Sequence, residues 1–152
     1  AWIENGETFG IDFDGVLLPK TILLGEAVSI GELPFIKLDD LVSDSLYVGK
    51  NIAKHDNRVH RILDWWIEAR NADAEFCTGI SKIGLLEDGA VVFWLAGDGL
   101  EVRIPHDGPG QRLLDLKSMM PKIYLENPDP NYVDLRYDGQ VVVGGKEGLK
   151  NK

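Results

Sequence analysis

The sequence predicts an α+β fold: a mostly antiparallel sheet of hairpins and a meander, with two helices packed on one face. Three observations carry this. First, Asp-Gly occurs five times, at Asp14-Gly15, Asp88-Gly89, Asp98-Gly99, Asp107-Gly108 and Asp138-Gly139, and four of these sit between β-prone apolar residues. Type I′ hairpin turns need positive φ at both central residues, which Asp tolerates and Gly accepts freely. Second, two stretches carry apolar residues at helical rather than alternating spacing. Third, 152 residues with 44% hydrophobic content suffice for one domain with a real core.

The elements follow in order. Thr8–Phe13 and Val16–Leu18 form a first hairpin across Asp14-Gly15, and Phe35–Leu38 is a short strand after Pro34. Leu38–His55 reads as a long loop with a helical turn. Val59, Ile62, Leu63, Trp66 and Ile67 share a helical stripe, so a helix spans Arg58–Asn71, with Asn57 as its cap. Trp65 falls off that stripe, which makes it a rim residue or a contact for something outside the domain. Ile80–Leu86, Ala90–Leu95 and Leu100–Ile104 form a three-stranded meander. A second helix spans Gly110–Met120, with Leu113, Leu116 and Met120 on one face, and Pro121 stops it. Tyr132–Tyr137 and Gln140–Val143 close the sheet as a last hairpin. Residues 1–145 therefore form one domain, followed by a disordered polar tail at 146–152.

Charge narrows the partners. Net charge is −9 and the pI is near 4.7. Binding nucleic acid or anionic lipid needs clustered Lys and Arg, so neither is expected. The single cysteine, Cys77, excludes an internal disulfide and a multi-thiolate metal site. His55, His60 and His106 share no ligand spacing, and no metal or other cofactor is expected. No stretch approaches the roughly 20 apolar residues of a membrane span. The chain opens at Ala1-Trp2-Ile3 without an initiator Met, and is expected to be a fragment of a longer protein.

One motif suggests catalysis. Ile11-Asp12-Phe13-Asp14-Gly15-Val16 resembles the first motif of haloacid-dehalogenase-type phosphatases. There the first Asp is a phosphoryl-accepting nucleophile and the second a general acid, around Mg²⁺. Asp12 and Asp14 would take those roles, with Thr78, Lys82 and Asp98 completing a metal-dependent phosphatase site. The spacing opposes it. Those enzymes need parallel strands joined by crossover helices, and only three residues separate Thr78 from Lys82. Asp14-Gly15 reads better as a hairpin turn.

Tyr132-Val133-Asp134-Leu135-Arg136-Tyr137-Asp138-Gly139 closely resembles the hallmark near the end of the FtsQ/DivIB family of bacterial cell-division proteins. Other pieces align in order: Trp2 with Thr8–Phe13 as an opening hairpin, Leu33-Pro34-Phe35-Ile36 as a strand, and Gln111-Arg112-Leu113 opening the second helix. Gly144-Gly145 departs from members that carry an aromatic residue there. The resemblance implies a non-catalytic divisome scaffold. It implies an extracytoplasmic, periplasmic β domain of a single-pass inner-membrane protein, with the membrane span and the polypeptide-transport-associated domain missing from this chain. It also implies FtsB- and FtsL-type bitopic partners and a link to septal peptidoglycan synthesis. The isolated domain is expected to be monomeric.

The partner-binding residues expected on this reading are Arg136, Tyr137, Gly139, Gln140, Val141, Val142 and Val143. Gln140–Val143 would accept a partner strand by β-augmentation, and Pro at Val142 would block it. Arg136 would offer a donor fork to a partner carboxylate, and Tyr137 an aromatic anchor.

Overall fold

Two βαβ crossovers organise the molecule. A computed structural model describes residues 1–5, 7–20, 33–38, 46–137 and 140–145. Among these, nine strands form one sheet: β1 (Trp2–Asn5), β2 (Glu7–Ile11), β3 (Leu17–Leu18), β4 (Phe35–Ile36), β5 (Ile80–Leu85), β6 (Val91–Leu95), β7 (Glu101–Ile104), β8 (Pro130–Asp134) and β9 (Val142–Gly145). Their order across the sheet is β3-β2-β1-β4-β5-β6-β7-β8-β9. Three helices accompany them: α1 (Asn57–Ala72), the single turn α2 (Ala74–Cys77), and α3 (Pro109–Glu126).

Most neighbours pair antiparallel, as the sequence predicts. The exceptions are β1–β4, β4–β5 and β7–β8, which are parallel. Parallel neighbours need a crossover: α1 with α2 joins β4 to β5, and α3 joins β7 to β8. Both crossovers step the same way across the sheet between strands pointing the same way. Right-handed connection therefore puts both helices on one face.

The strand boundaries shift by a few residues from expectation, and the turns explain why. At Asp12–Val16 and Leu86–Ala90 the same three-residue loop recurs. Asp12 N–H bonds Val16 C=O at 3.1 Å and Gly15 N–H bonds Asp12 C=O at 3.1 Å. Leu86 N–H bonds Ala90 C=O at 2.8 Å and Gly89 N–H bonds Leu86 C=O at 2.9 Å. Gly15 and Gly89 sit at φ 92° and 87°, so glycine serves as the left-handed last residue of a bulged turn rather than half of a two-residue turn. Asp107-Gly108 starts α3 instead of a hairpin, with Gly108 at φ 58°.

The helices correct three further expectations. Asp56, not Asn57, caps α1, because its carboxylate accepts from Arg58 N–H at 2.9 Å. Pro121 does not stop α3, which runs on to Glu126. Past the proline, Ile123 is buried and the Tyr124 hydroxyl bonds Asp98, so tertiary contacts offset the missing N–H. Trp65 is buried, stacked on Phe93 of β6 at 5.6 Å between ring centroids. A helix packed against both a sheet and another helix buries a wider arc than one stripe, and Trp65 lies in that arc.

The core lies between helices and sheet. Ile3, Phe9, Ile11, Leu17, Ile36, Ile83, Phe93, Val102 and Val133 line one face of the sheet, against Ile62, Leu63, Trp65 and Leu113. Cys77 is buried there too, and burial pushes its thiol up to about 11. The expected loop Leu38–His55 is described from Leu46 onward, where it runs beside β3. Residues 39–45 and the tail 146–152 lie outside the described residues.

Trp65→Ala should cost about 3–5 kcal/mol of unfolding free energy, as for large core deletions. Leu125→Ala, at an 82% exposed position, should stay within about 0.5 kcal/mol of the parent. Urea denaturation of the two variants checks both.

Candidate functional site

The sheet has two edges, and they are treated differently. At β3 the outer side is used. Leu17 N–H bonds Lys50 C=O at 2.9 Å, Gly49 N–H bonds Leu17 C=O at 2.8 Å, and Val16 bridges Asn51. At β9 no described segment pairs with the outer side.

The hydrogen-bond direction along β9 follows from its neighbours. Leu135 N–H bonds Arg103 C=O at 2.8 Å, so the odd residues of β8 face β7. Tyr132 and Asp134 then face β9, and their partners Gly144 and Val142 face back. That leaves the N–H and C=O of Val143 on the free side. Val142, the position expected to matter for strand addition, belongs to the internal ladder. The last strand is accordingly Val142–Gly145 rather than Gln140–Val143.

Side chains alternate across this edge. On the sheet face away from the helices, Tyr132 lies over Gly144, where a Cβ would overlap its ring. The Arg103 guanidinium covers the same ring at 4.3 Å. Asn127 Oδ1 approaches Gly145 less closely, at 2.7 Å from where a Cβ would stand. Gly144 is thus the shape that lets an aromatic ring lie directly on the edge strand.

The segment after β8 is held by ion pairs. Asp134, 3% exposed, accepts from Arg136 N–H at 3.1 Å, Nε at 3.0 Å and Nη2 at 2.7 Å. Arg136 Nη1 reaches Asp88 at 3.2 Å, and Arg103 stands 3.7 Å from Asp134 and 2.7 Å from Glu101. Burial alone would push the Asp134 carboxyl up. The Arg136 hydrogen bonds and the charges of Arg136 and Arg103 outweigh it, and the net shift is downward. The same contacts raise the Arg136 guanidinium. Its fork, expected to face a partner, is turned onto Asp134.

Beside the edge lies an open groove of about 420 Å³, lined by Arg112, Asp115, Ser118 and Met119 of α3 together with Leu135, Tyr137, Gln140 and Val141. Tyr137, Val141 and Val142 are 52%, 42% and 38% exposed. Of the expected contact residues, Tyr137, Gln140 and Val141 line the groove, Val142 and Val143 form the edge, and Arg136 braces it from behind. Gly139 lies outside the described residues. The contribution of α3 escaped sequence reasoning. Arg112, Asp115 and Met119 do share a helical face, at i, i+3 and i+7, but nothing in the sequence pairs that face with the last strands.

The acidic motif near the start is arranged differently from a phosphatase site. Asp12 spends its carboxylate on its own turn, accepting from Asp14 N–H at 3.0 Å and Val16 N–H at 2.9 Å. Thr78 donates to Glu75 C=O at 2.6 Å, and Asp98 accepts from Leu100 N–H and Tyr124. Asp12 follows β2 and Asp98 follows β6, four strand spacings or about 19 Å apart along one end of the sheet. Among the described residues no three His, Cys, Asp or Glu side chains converge.

No protein-family model matches the chain, and no curated protein is significantly similar to it.

Gly144→Ala should destabilise the domain by about 1–3 kcal/mol, as overpacking does. The loss should shrink in a Tyr132→Ala background, where the ring no longer fills the space, and a double-mutant cycle reads the coupling. Acid should also act through Asp134. Its folded pKa lies below the ordinary 3.8, so its ionised form stabilises the fold above about pH 4, and that contribution is lost as pH falls through the lower folded value. Asp134→Asn should lower stability at pH 7 and lose less than the parent between pH 7 and pH 3. Asp56, held down by its hydrogen bond from Arg58, keeps its own share of the acid response in both. Urea midpoints at the two pH values test this.

Proposed function

We propose that this chain is the extracytoplasmic β domain of an FtsQ/DivIB-type cell-division protein, and that it acts as a non-catalytic scaffold. On this reading it binds FtsB/FtsL-type bitopic partners and so takes part in organising septal peptidoglycan synthesis. The full-length protein is anchored in the inner membrane by one span, with this domain in the periplasm. No described helix is long and apolar enough to cross a membrane.

The observation that carries the proposal is the outer side of β9, with which no described segment pairs, next to the Tyr137 groove. A partner strand added there takes backbone hydrogen bonds from Val143, which supply affinity without regard to sequence. Its alternate side chains then fall on the two faces of the sheet. Those on the helix side enter the groove between α3 and Tyr137 and need apolar bulk to fill it. Those on the other side meet Val142 and the edge of the Tyr132 ring. Tyr137 supplies the exposed aromatic surface expected of an interface anchor. The Tyr132–Gly139 motif gives the proposal its family, and the edge geometry gives it a mechanism that needs no catalytic group.

Titration with the purified extracytoplasmic segment of an FtsB-type protein from the same organism tests it. Tyr137→Ala should weaken binding by about 30-fold or more, a hot-spot loss. Val143→Pro, which removes an outward N–H, should abolish strand addition while the far-UV spectrum of the free domain persists. Full affinity in both variants would exclude this docking mode.

A further inference from the structure

We infer that Asp134 is a positioning residue of the docking edge: by clamping Arg136 it sets where the Tyr137 ring stands at the mouth of the groove. The inference rests on the docking reading above and deepens it.

Asp134 is the one charged side chain buried among the described residues. Its place in the sheet does not demand a carboxylate. It lies on the face away from the helices, between Arg103 of β7 and Val142 of β9. Apolar residues of similar volume commonly replace buried ion pairs at no cost in stability. What a carboxylate does here, and an apolar residue cannot, is accept. Asp134 takes the backbone N–H of Arg136 and two of its guanidinium nitrogens, so one side chain fixes both the path and the rotamer of the residue two positions on.

That residue stands where the strand ends. Beyond Asp134 the chain keeps one ladder bond, Leu135 N–H to Arg103 C=O, and then leaves the sheet. Tyr137 follows at once, with its ring 5.5 Å from the clamped guanidinium. Asp88, on the β5–β6 turn, holds the remaining nitrogen from the other side at 3.2 Å. The exposed aromatic therefore rests on a cation that is itself pinned to a buried anion. An aromatic anchor whose position is set before binding loses less freedom on docking, which is where preorganisation gains affinity.

The test compares Asp134→Asn, which keeps the shape and removes the charge, with Ile62→Val, which loosens the core elsewhere. Two readouts are taken. One is the side-chain NMR resonances of Tyr137 in the free protein. The other is affinity for the purified extracytoplasmic segment of the FtsB-type protein. Asp134→Asn should shift the Tyr137 ring resonances toward free-tyrosine values and weaken binding about tenfold, the scale of a hydrogen bond to a charged group. Ile62→Val should leave both unchanged. Tyr137 resonances that stay put in Asp134→Asn, or parent-like affinity, would overturn the inference, as would an equal effect of Ile62→Val. Should Asp134→Asn not fold, Arg136→Lys breaks the same fork while keeping the charge, and must move the Tyr137 resonances in the same direction. Should the parent itself not bind the segment, the docking reading fails. The free-protein resonances then still decide whether Asp134 sets the ring.

Discussion

The stacking of Trp65 on Phe93 fixes α1 across the middle of the sheet, and the rest of the fold is arranged around that contact. Phe76 closes the same cluster edge-on at 6.2 Å, from the turn that leads into β5. With α1 pinned there, β4 and β5 must be parallel, since the helix lies between them in sequence and covers both. The same logic repeats with α3, Leu113 and Leu116 for β7 and β8. One helical face thus decides the direction of four strands. The antiparallel hairpins then fill the gaps with local turns, where loop closure is least costly.

A single device builds most of those turns. Asp12, Asp56, Asp88, Asp98 and Asp134 each accept the backbone N–H two residues ahead. In a short turn or at a helix start that N–H has no ladder partner, and a carboxylate two residues back satisfies it. Much of the acidic excess is therefore at work in the backbone. This bears on the motif around Asp12 and Asp14, whose aspartates look catalytic in sequence. In the fold, the first of them is the turn acceptor. At Asp134 the same device is carried onto a buried strand and extended to a side chain.

What could be read from the sequence divides along the same line. The meander from Ile80 to Ile104 was legible, because each turn is written locally as Asp and Gly between apolar runs. So were the positions of both long helices. The parallel neighbours were not: nothing near Trp2 or Phe35 says that β1 and β4 lie side by side, since a crossover is specified by packing far away. Trp65 was misplaced because one apolar stripe assumes one neighbour, and α1 has two. Pro121 was misjudged because a lost N–H is a local cost, while Ile123 and Tyr124 act at a distance. At the edge, Tyr137, Gln140 and Val141 were legible through the Tyr132–Gly139 motif. The α3 half of the groove was not, and neither was which backbone groups of β9 face outward. That depends on one hydrogen bond across β7–β8.

The two sheet edges show what an unguarded edge means. Natural sheets blunt their ends with charge, proline, bulges or covering segments, because open N–H and C=O groups invite pairing. The β3 end follows that rule, covered by residues 49–51. Among the described residues, the β9 end breaks it. In a chain with 25 acidic and 16 basic residues, the six from Gln140 to Gly145 carry no charge and no proline. Valines and glycines there leave room for a second backbone to approach, and the net charge of −9 opposes indiscriminate pairing between copies of the chain. Global repulsion with a local neutral edge favours a strand of different composition over self-association. It is the electrostatic side of the docking mode proposed for β9.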